Sequence, residues 1–172
     1  MFNSTEKTSK GVVSPMIEVT AAALGTQPFL RGMPPSQLGR LAEAASDVKF
    51  PEGHRIFEDG GHAAAFWLIQ CGQVALDMQV PGQRAVTIDT VGIGELLGLS
   101  WLFPPYRWSF GAVCVNPVDA FEFDAAAVRG YCATDPVFGY EFSRRLIPVL
   151  ARRLQSTRAR LVARSWGAAS SW

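Results

Sequence analysis

The amino-acid sequence predicts an α+β fold in which an antiparallel β-roll of the jelly-roll type is flanked by helices and followed by a long C-terminal helix. Three observations support this prediction. Apolar residues recur at helical spacing before residue 46, seven short β-prone runs follow over residues 47–124, and helical spacing returns from Asp124 onward. With 172 residues, 48% of them hydrophobic and 18% charged, the chain is long enough to bury one core.

The N-terminal part divides into a polar tail and two helices. Residues 1–15 show no apolar period and are expected to be disordered. A short helix is predicted over residues 16–24, and Ser36 is expected to cap a second helix, SQLGRLAEAASDV, in which Leu38 and Leu41 lie at helical spacing. The predicted organisation has four segments: a disordered tail (1–15), a roll with its helices (16–135), a dimerisation helix (136–164) and a flexible tail (165–172).

The central runs have the character of short strands. Glycine, proline, aspartate and asparagine separate them, and several alternate between polar and apolar residues, as in Gln73–Met78. Strands of this length and spacing are typical of antiparallel sandwiches and barrels. The seven runs are DVKF, HRIFED, AFWLIQCG, QVALDMQV, QRAVTIDTV, SFGAVCV and DAFEFD.

The C-terminal helix is predicted to begin at Asp135 and Pro136, because aspartate caps helices and proline suits their first position. Pro148 lies inside it and should cause a kink or a break. An apolar stripe along the helix predicts the seam of a homodimer. The alternative is that the stripe packs on the roll of the same chain. Its members are Leu146, Leu150, Leu154, Thr157 and Leu161.

Charge is distributed unevenly along the chain. Residues 1–140 carry nine Lys/Arg and fourteen Asp/Glu, a net charge of −5, whereas residues 141–172 carry seven Arg and one Glu, a net charge of +6. The arginines surround the helix rather than forming one flat face, so non-specific nucleic-acid binding is less favoured than contact with a partner protein.

Enzyme chemistry and a metal site are not predicted. His54 and His62 are the only histidines and lie in glycine-rich turns, and Cys114 has no evident histidine partner. The three cysteines are widely spaced, which argues against disulfides. No apolar run is long enough to cross a bilayer, and the N-terminus lacks the order of a signal peptide. The protein is therefore expected to be cytoplasmic, without membrane contact.

The order of helices, β-roll and long helix resembles the cyclic-nucleotide-binding domain of the catabolite-activator/FNR type. The segments that carry the resemblance are Phe29–Met33 (FLRGM), Pro51–Leu76 and Ala151–Thr157 (ARRLQST). Activator members of that family continue into a helix-turn-helix domain after the dimer helix. Since the sequence stops at Trp172, the resemblance implies that this chain does not bind DNA sequence-specifically.

The family's phosphate cassette reads roughly Gly-x-x-x-Gly-Glu-Leu-Ala-Leu, with an arginine nine or ten residues after the glutamate. Backbone N–H groups and the arginine hold the cyclic phosphate, and the glutamate accepts from the ribose hydroxyl. Gly94-Glu95 resembles the Gly-Glu pair, but counts from both neighbouring strands instead match Gly94 and Gly98 to the two glycines. Leu99 and Ser109 then stand where the family has its glutamate and arginine.

Loss of both polar residues is expected to weaken cyclic nucleotide binding by about 10²–10⁴-fold, since each charge-assisted hydrogen bond contributes about 1.5–3 kcal/mol. Arg107 is the best substitute for the missing arginine, while Leu99, Trp101 or Trp108 could instead fill the sugar space. Thr157 matches the dimer-helix threonine that meets the adenine. The residues expected to line the site are Gly98, Leu99, Ser100, Arg107, Trp108, Ser109, Thr157 and Arg158.

Two functions follow from these observations. The first is a stand-alone regulatory or sensor module, homodimeric through residues 136–164, that binds cyclic AMP (cAMP) or a related nucleotide. It would signal to a partner protein by moving the C-terminal helix around Pro148. The second is a ligand-free dimeric scaffold with a degenerate pocket, which Leu99 and Trp108 favour.

Overall fold

The computed structural model describes residues 12–13, 18–80, 82 and 85–169, with side chains described for residues 18–163 within these ranges. The chain divides into two compact units, and the boundary lies between Tyr131 and Cys132. The first unit holds the β-roll and its N-terminal helices, and the second holds most of the C-terminal helical region. Among the described residues, no helix is both long and apolar enough to cross a membrane.

Two short helices precede the roll. Helix α1 (Ala21–Gly25) begins at Thr20, whose hydroxyl accepts a hydrogen bond from the amide of Ala23 at 3.2 Å. Helix α2 (Pro35–Glu43) begins with proline at its first position, so Ser36 lies inside the first turn and is not the predicted cap. The helix also ends earlier than predicted, because the residues after Ala44 alternate in burial and form a strand.

The β-roll consists of two antiparallel sheets. One sheet has the strand order β1-β2-β9-β4-β7, and the other has the order β3-β8-β5-β6. All seven predicted runs contain a strand, which confirms the predicted fold class. The strands are β1 (Val12–Val13), β2 (Ala45–Phe50), β3 (Arg55–Phe57), β4 (Ala65–Cys71), β5 (Val74–Met78), β6 (Val86–Val91), β7 (Leu96–Leu97), β8 (Gly111–Cys114) and β9 (Val118–Asp124).

Two of these strands were not predicted. Strand β7 has two residues, too few to show an alternating pattern, and it pairs with Trp67 and Leu68 of β4. Strand β1 lies inside the expected disordered tail, where Val12 and Val13 pair with β2. The rest of that tail lies outside the described residues.

Aromatic stacking joins the two sheets of the roll. Phe57 of β3 stacks on Trp67 of β4, with ring centroids 5.5 Å apart. Phe66, on the same strand as Trp67, stacks on Phe123 at 4.8 Å and on Trp101 at 4.5 Å. Because offset and parallel aromatic contacts add to the free energy of burial, this end of the roll is held by large rings.

The C-terminal helices follow β9 directly. The carboxylate of Asp124 accepts from the amide of Ala127 at 2.8 Å and caps helix α3 (Ala125–Thr134). Helix α4 (Pro136–Ala169) begins as predicted, with Asp135 accepting from two first-turn amides at 3.1 Å.

Helix α4 differs from the prediction in two respects. It continues through Pro148 as one element, so of the predicted kink or break the break does not occur. Proline lacks an N–H and removes one hydrogen bond, but a helix of 34 residues keeps the others on both sides. The helix also extends to Ala169, so residues 165–169 of the predicted flexible tail are helical, and the last three residues lie outside the described part.

Candidate functional site

Two glycines bracket strand β7 at the predicted cassette. Gly94 and Gly98 have φ values of +77° and +80°, a left-handed conformation that glycine adopts without strain. The amide of Gly94 donates to the carbonyl of Ile69 at 2.8 Å, which fixes this turn to β4. A single turn of 3₁₀ helix, Ser100–Leu102, begins two residues after Gly98, with Leu99 as its N-cap. The backbone therefore has a tight turn, a short strand and a helical turn in succession.

The carboxylate of Glu95 is engaged within the first of these turns. It accepts a hydrogen bond from the amide of Gly92 at 2.8 Å, and the amide of Glu95 donates to the carbonyl of Gly92 at 3.1 Å. The side chain thus closes its own turn between β6 and β7.

The indole of Trp108 covers the backbone of Gly98. A Cβ atom built on Gly98 would lie 2.9 Å from both Cζ3 and Cη2 of Trp108. Trp108 is 6% exposed and stacks on Phe57 with ring centroids 4.0 Å apart. Trp67 lies 6.0 Å from it in a tilted arrangement, and its own indole N–H donates to Glu122 at 2.8 Å. The space above the second glycine is therefore filled by an aromatic cluster that we define as Phe57, Trp67 and Trp108.

Backbone pairing determines the direction in which the side chains of Trp108 and its neighbour Arg107 point. The amide of Trp108 donates to the carbonyl of Gly61, and its carbonyl accepts from the amide of Gly60, each at 2.8 Å. His62 and Arg107 form an isolated antiparallel bridge. Since successive side chains of extended backbone point to opposite sides, Trp108 turns inward and Arg107 turns outward. The guanidinium of Arg107 is exposed and donates to the carbonyl of Gly60 at 2.8 Å.

Arg129 of helix α3 anchors the segment between the 3₁₀ turn and Trp108. Its guanidinium donates to the carbonyl of Trp101 at 2.8 Å and lies 4.4 Å from the ring centroid of Tyr106. Trp101 itself is completely buried. One cation therefore binds both ends of the six-residue span Trp101–Tyr106, through a charge-assisted hydrogen bond and a cation–π contact.

The predicted site residues fall into three groups. Gly98 and Trp108 are in contact, and Leu99 and Ser100 follow Gly98 in a half-buried position. Arg107 and Ser109 are adjacent along the chain but exposed. Thr157 and Arg158 belong to the second unit and are exposed on α4, where the hydroxyl of Thr157 donates to the carbonyl of Arg153 at 2.9 Å.

Three residues of this region, Phe57, Trp67 and Arg129, were not predicted from the sequence. The two aromatics lie in predicted strands, but neither run shows which cross-sheet neighbour its rings will meet. Arg129 carried a weak signal, because it is the only basic residue between positions 108 and 143.

An ion pair crosses the second sheet near the start of β8. Arg55 makes two hydrogen bonds to the carboxylate of Asp77, at 2.9 and 2.7 Å, and Asp77 is 7% exposed. The hydrogen bond to Asp77 raises the pKa of the Arg55 guanidinium. Both side chains pass over Gly111, where any larger residue would collide with them. Nearby on β8, burial raises the pKa of the Cys114 thiol to about 11.

The exposed face of α4 forms a regular heptad seam. Large apolar side chains at positions 140, 147, 154 and 161 repeat every seven residues and are 52–65% exposed. Leu150, 41% exposed, and Thr157 lie between them at 3-4 spacing. Leu146, the first member of the predicted stripe, is instead 2% exposed, and Ile147 takes its place. We define the α4 seam as Tyr140, Ile147, Leu150, Leu154, Thr157 and Leu161.

No group of three or more His, Cys, Asp or Glu residues that could hold a metal ion occurs within the described ranges.

An antiparallel roll with a glycine-bracketed cassette and a long C-terminal helix defines the class of cyclic nucleotide-binding domains. The family model "Cyclic nucleotide-binding domain" matches residues 47–135, and the chain belongs to this family. The curated relatives it matches are CRP-like cAMP-activated global transcriptional regulators of Mycobacterium tuberculosis, 30% identical over 129 residues. The alignment covers 75% of this chain and 56% of the relative, so the chain spans little more than half the relative's length.

Solved structures agree with this assignment. The Catabolite Activator Protein of Thermus thermophilus is 25% identical with a TM-score of 0.62, over 80% of this chain and 63% of that one. A cyclic nucleotide-binding domain from Methylobacillus flagellatus KT is 20% identical with a TM-score of 0.69, over 77% of this chain and 74% of that one. The predicted family and fold are confirmed, and the chain is a regulatory module of this family.

Proposed function

We propose that this regulatory module acts through protein contacts with its cassette closed by Trp108, and that cyclic AMP is not its ordinary ligand. The observation that carries the proposal is the contact between the Trp108 indole and the Gly98 backbone. In the counted register, Gly98 is the glycine whose amide region would meet a cyclic phosphate. A phosphate cannot occupy that position while the indole does.

The free energy needed to open the cassette supports the same conclusion. Moving a buried aromatic side chain such as Trp108 into water costs about 1.5–3 kcal/mol, and loss of its stacking on Phe57 costs about 0.5–1.5 kcal/mol more. Together these terms would weaken a nucleotide by roughly 30- to 2000-fold. The penalty adds to the loss of the family's glutamate and arginine at Leu99 and Ser109, so an ordinary signalling affinity is not expected.

Arg107 is poorly placed to restore that affinity. Its guanidinium donates to the carbonyl of Gly60, and its backbone pairs with His62 on the outer side of the segment. To reach the cassette, Arg107 would have to give up this hydrogen bond and exchange directions with Trp108. If Arg107 were the substitute clamp, Arg107→Ala should abolish nucleotide binding. Glu95→Ala should change nucleotide binding little.

A second candidate function is a sensor whose ligand displaces Trp108. The observation that favours it is the backbone of the predicted cassette, with positive φ at Gly94 and Gly98 and a helical turn that begins at Ser100. The ligand of such a sensor would be cyclic AMP or a related nucleotide.

The two functions differ in one direct measurement. We would melt the protein with cyclic AMP, cyclic GMP and cyclic di-GMP at about 1 mM, and expect no shift. A ligand present at 100 times its Kd would stabilise the fold by about 2.7 kcal/mol, or several degrees. A shift that Arg107→Ala removes and Glu95→Ala preserves would overturn the proposal in favour of the sensor. Calorimetric titration provides the independent check.

A further inference from the structure

The segment Trp101–Tyr106, which we call the strap, runs from the 3₁₀ turn of the cassette toward Trp108. The ring of Trp101 is completely buried and stacks on Phe66 with ring centroids 4.5 Å apart. The middle of the strap is exposed, and Phe103 there is 52% exposed. The strap is therefore held at its ends rather than along its length.

Arg129 of α3 contacts both ends of the strap. Its guanidinium donates to the carbonyl of Trp101 at 2.8 Å and lies over the ring of Tyr106, 4.4 Å from the ring centroid. The helix that carries Arg129 is anchored by Ala125 and Val128, which are both completely buried. Because the cation projects from an anchored helix, it fixes the two ends of the strap relative to α3.

Tyr106 needs such a contact because of its backbone conformation. Its φ is +54°, and it is the sole non-glycine residue with positive φ in the part of the chain that the structure describes. A bulky L-residue rarely adopts this conformation, which persists only where the surroundings determine it. The amide of Tyr106 donates to the carbonyl of Phe103 at 3.1 Å, and its carbonyl accepts from the amide of Ala63 at 2.7 Å. The ring contact with Arg129 is what connects this conformation to α3.

The conformation of Tyr106 affects the direction of Trp108, two residues later. Arg107 and Trp108 follow in extended backbone, so their side chains alternate between the outer side and the cassette. A residue that leaves the left-handed region rotates the chain on either side of it. If Tyr106 relaxed to a right-handed or extended conformation, the indole would no longer be directed onto Gly98.

We propose that Arg129 is a positioning residue that keeps the cassette closed, because it holds Tyr106 in the left-handed conformation that directs the Trp108 indole inward. The inference rests on the proposed function, since it names the residue that maintains the closed cassette. Without Arg129, the strap is no longer connected to α3 and the indole leaves Gly98. Loss of the charge-assisted hydrogen bond alone corresponds to a roughly 10- to 100-fold shift of the equilibrium toward the open cassette.

The test is ¹⁹F nuclear magnetic resonance of the whole chain labelled with 5-fluorotryptophan. The chain has five tryptophans, and the signal of Trp108 is identified by its absence in Trp108→Phe. In the unaltered protein we expect the Trp108 signal to keep its position when H₂O is replaced by D₂O, because the indole is buried. Arg129→Ala should move the signal toward that of a solvated indole and make it sensitive to this change of solvent.

Matched variants separate positioning from general loosening of the fold. Tyr106→Phe keeps the ring that contacts the cation and should leave the Trp108 signal in place, whereas Tyr106→Leu should shift it as Arg129→Ala does. Arg40→Ala is the control, because Arg40 of α2 lies over the ring of Tyr131 at 4.7 Å, a contact of the same kind away from the strap. It should leave the Trp108 signal unchanged. Circular dichroism of each variant verifies that it is folded.

Three results would overturn the inference alone. A Trp108 signal that stays in place in folded Arg129→Ala would show that the cation does not position the indole. An equal shift in Arg40→Ala would assign the effect to general loosening. If Arg129→Ala does not fold, an unmoved signal in Tyr106→Leu decides against the inference. A solvent-sensitive Trp108 signal in the unaltered protein would instead refute the closed cassette itself, so the inference and the proposed function fail by different results.

Discussion

Replacing Trp108 with alanine tests whether the aromatic cluster closes the cassette. Trp108 is 6% exposed, stacks on Phe57 at 4.0 Å and covers Gly98. Truncation of a buried aromatic residue to alanine costs about 3–5 kcal/mol, because burial and packing are both lost. For a chain of this size, each kcal/mol corresponds to about 2–4 °C in Tm, so we expect a decrease of roughly 6–20 °C.

The assay is urea and thermal unfolding followed by far-ultraviolet circular dichroism. Phe103→Ala is the control, because Phe103 lies on the same segment but is 52% exposed, and its loss should cost less than about 1 kcal/mol. Trp108→Phe should recover more than half of the loss, since a phenyl ring can still stack on Phe57. If Trp108→Ala changed the free energy of unfolding by less than about 1 kcal/mol, the indole would not be packed against Gly98 in solution, and the closed cassette would have to be abandoned.

Three further changes test other contacts. Gly98→Ala should lower the free energy of unfolding more than Gly53→Ala, because both positions have positive φ but only a Cβ at position 98 would meet an indole. Denaturant unfolding of the two variants measures the difference, and equal losses would contradict the prediction. Asp77→Asn should lower stability by about 1–3 kcal/mol in the same assay, because Arg55 then loses its charged acceptor, and no loss would mean that water replaces the pair. The raised pKa of Cys114 predicts that stability falls as pH rises from about 9 to about 11, because the thiol ionises at lower pH in the unfolded chain than in the folded one. Cys114→Ala should remove this part of the pH profile of stability, and an unchanged profile would assign the fall to other groups.

Much of the fold could be predicted from the sequence because turn residues separate the strands. The spacing of apolar residues also changes where the helices give way to the strands. The failures occurred where local pattern competes with tertiary pairing. The segment after Ala44 reads as helix continuation, but it forms β2 by pairing six residues with β9. Pro148 predicts a kink or a break, and the long helix continues through it without a break.

The site was less predictable than the fold. The positive φ values at Gly94 and Gly98 agree with the two turns predicted there, whereas the absence of the family's polar residues at Leu99 and Ser109 and the set of ligand-lining residues stay predictions. What counting could not supply was the direction of Arg107 and Trp108. That direction depends on hydrogen bonds to Gly60 and Gly61, nearly fifty residues earlier, which no local pattern encodes.

The aromatic cluster also provides an intrinsic spectroscopic probe of the cassette. Trp108 and Trp67 lie 6.0 Å apart and are fixed by Phe57 and by the hydrogen bond to Glu122. Indoles held rigidly in an asymmetric packed environment give near-ultraviolet circular dichroism. Any event that turns Trp108 out of the cassette would release it from that packing and expose an indole to water. An optical signal of opening is therefore already present in the unlabelled protein, and it can be followed on the timescale of stopped-flow mixing.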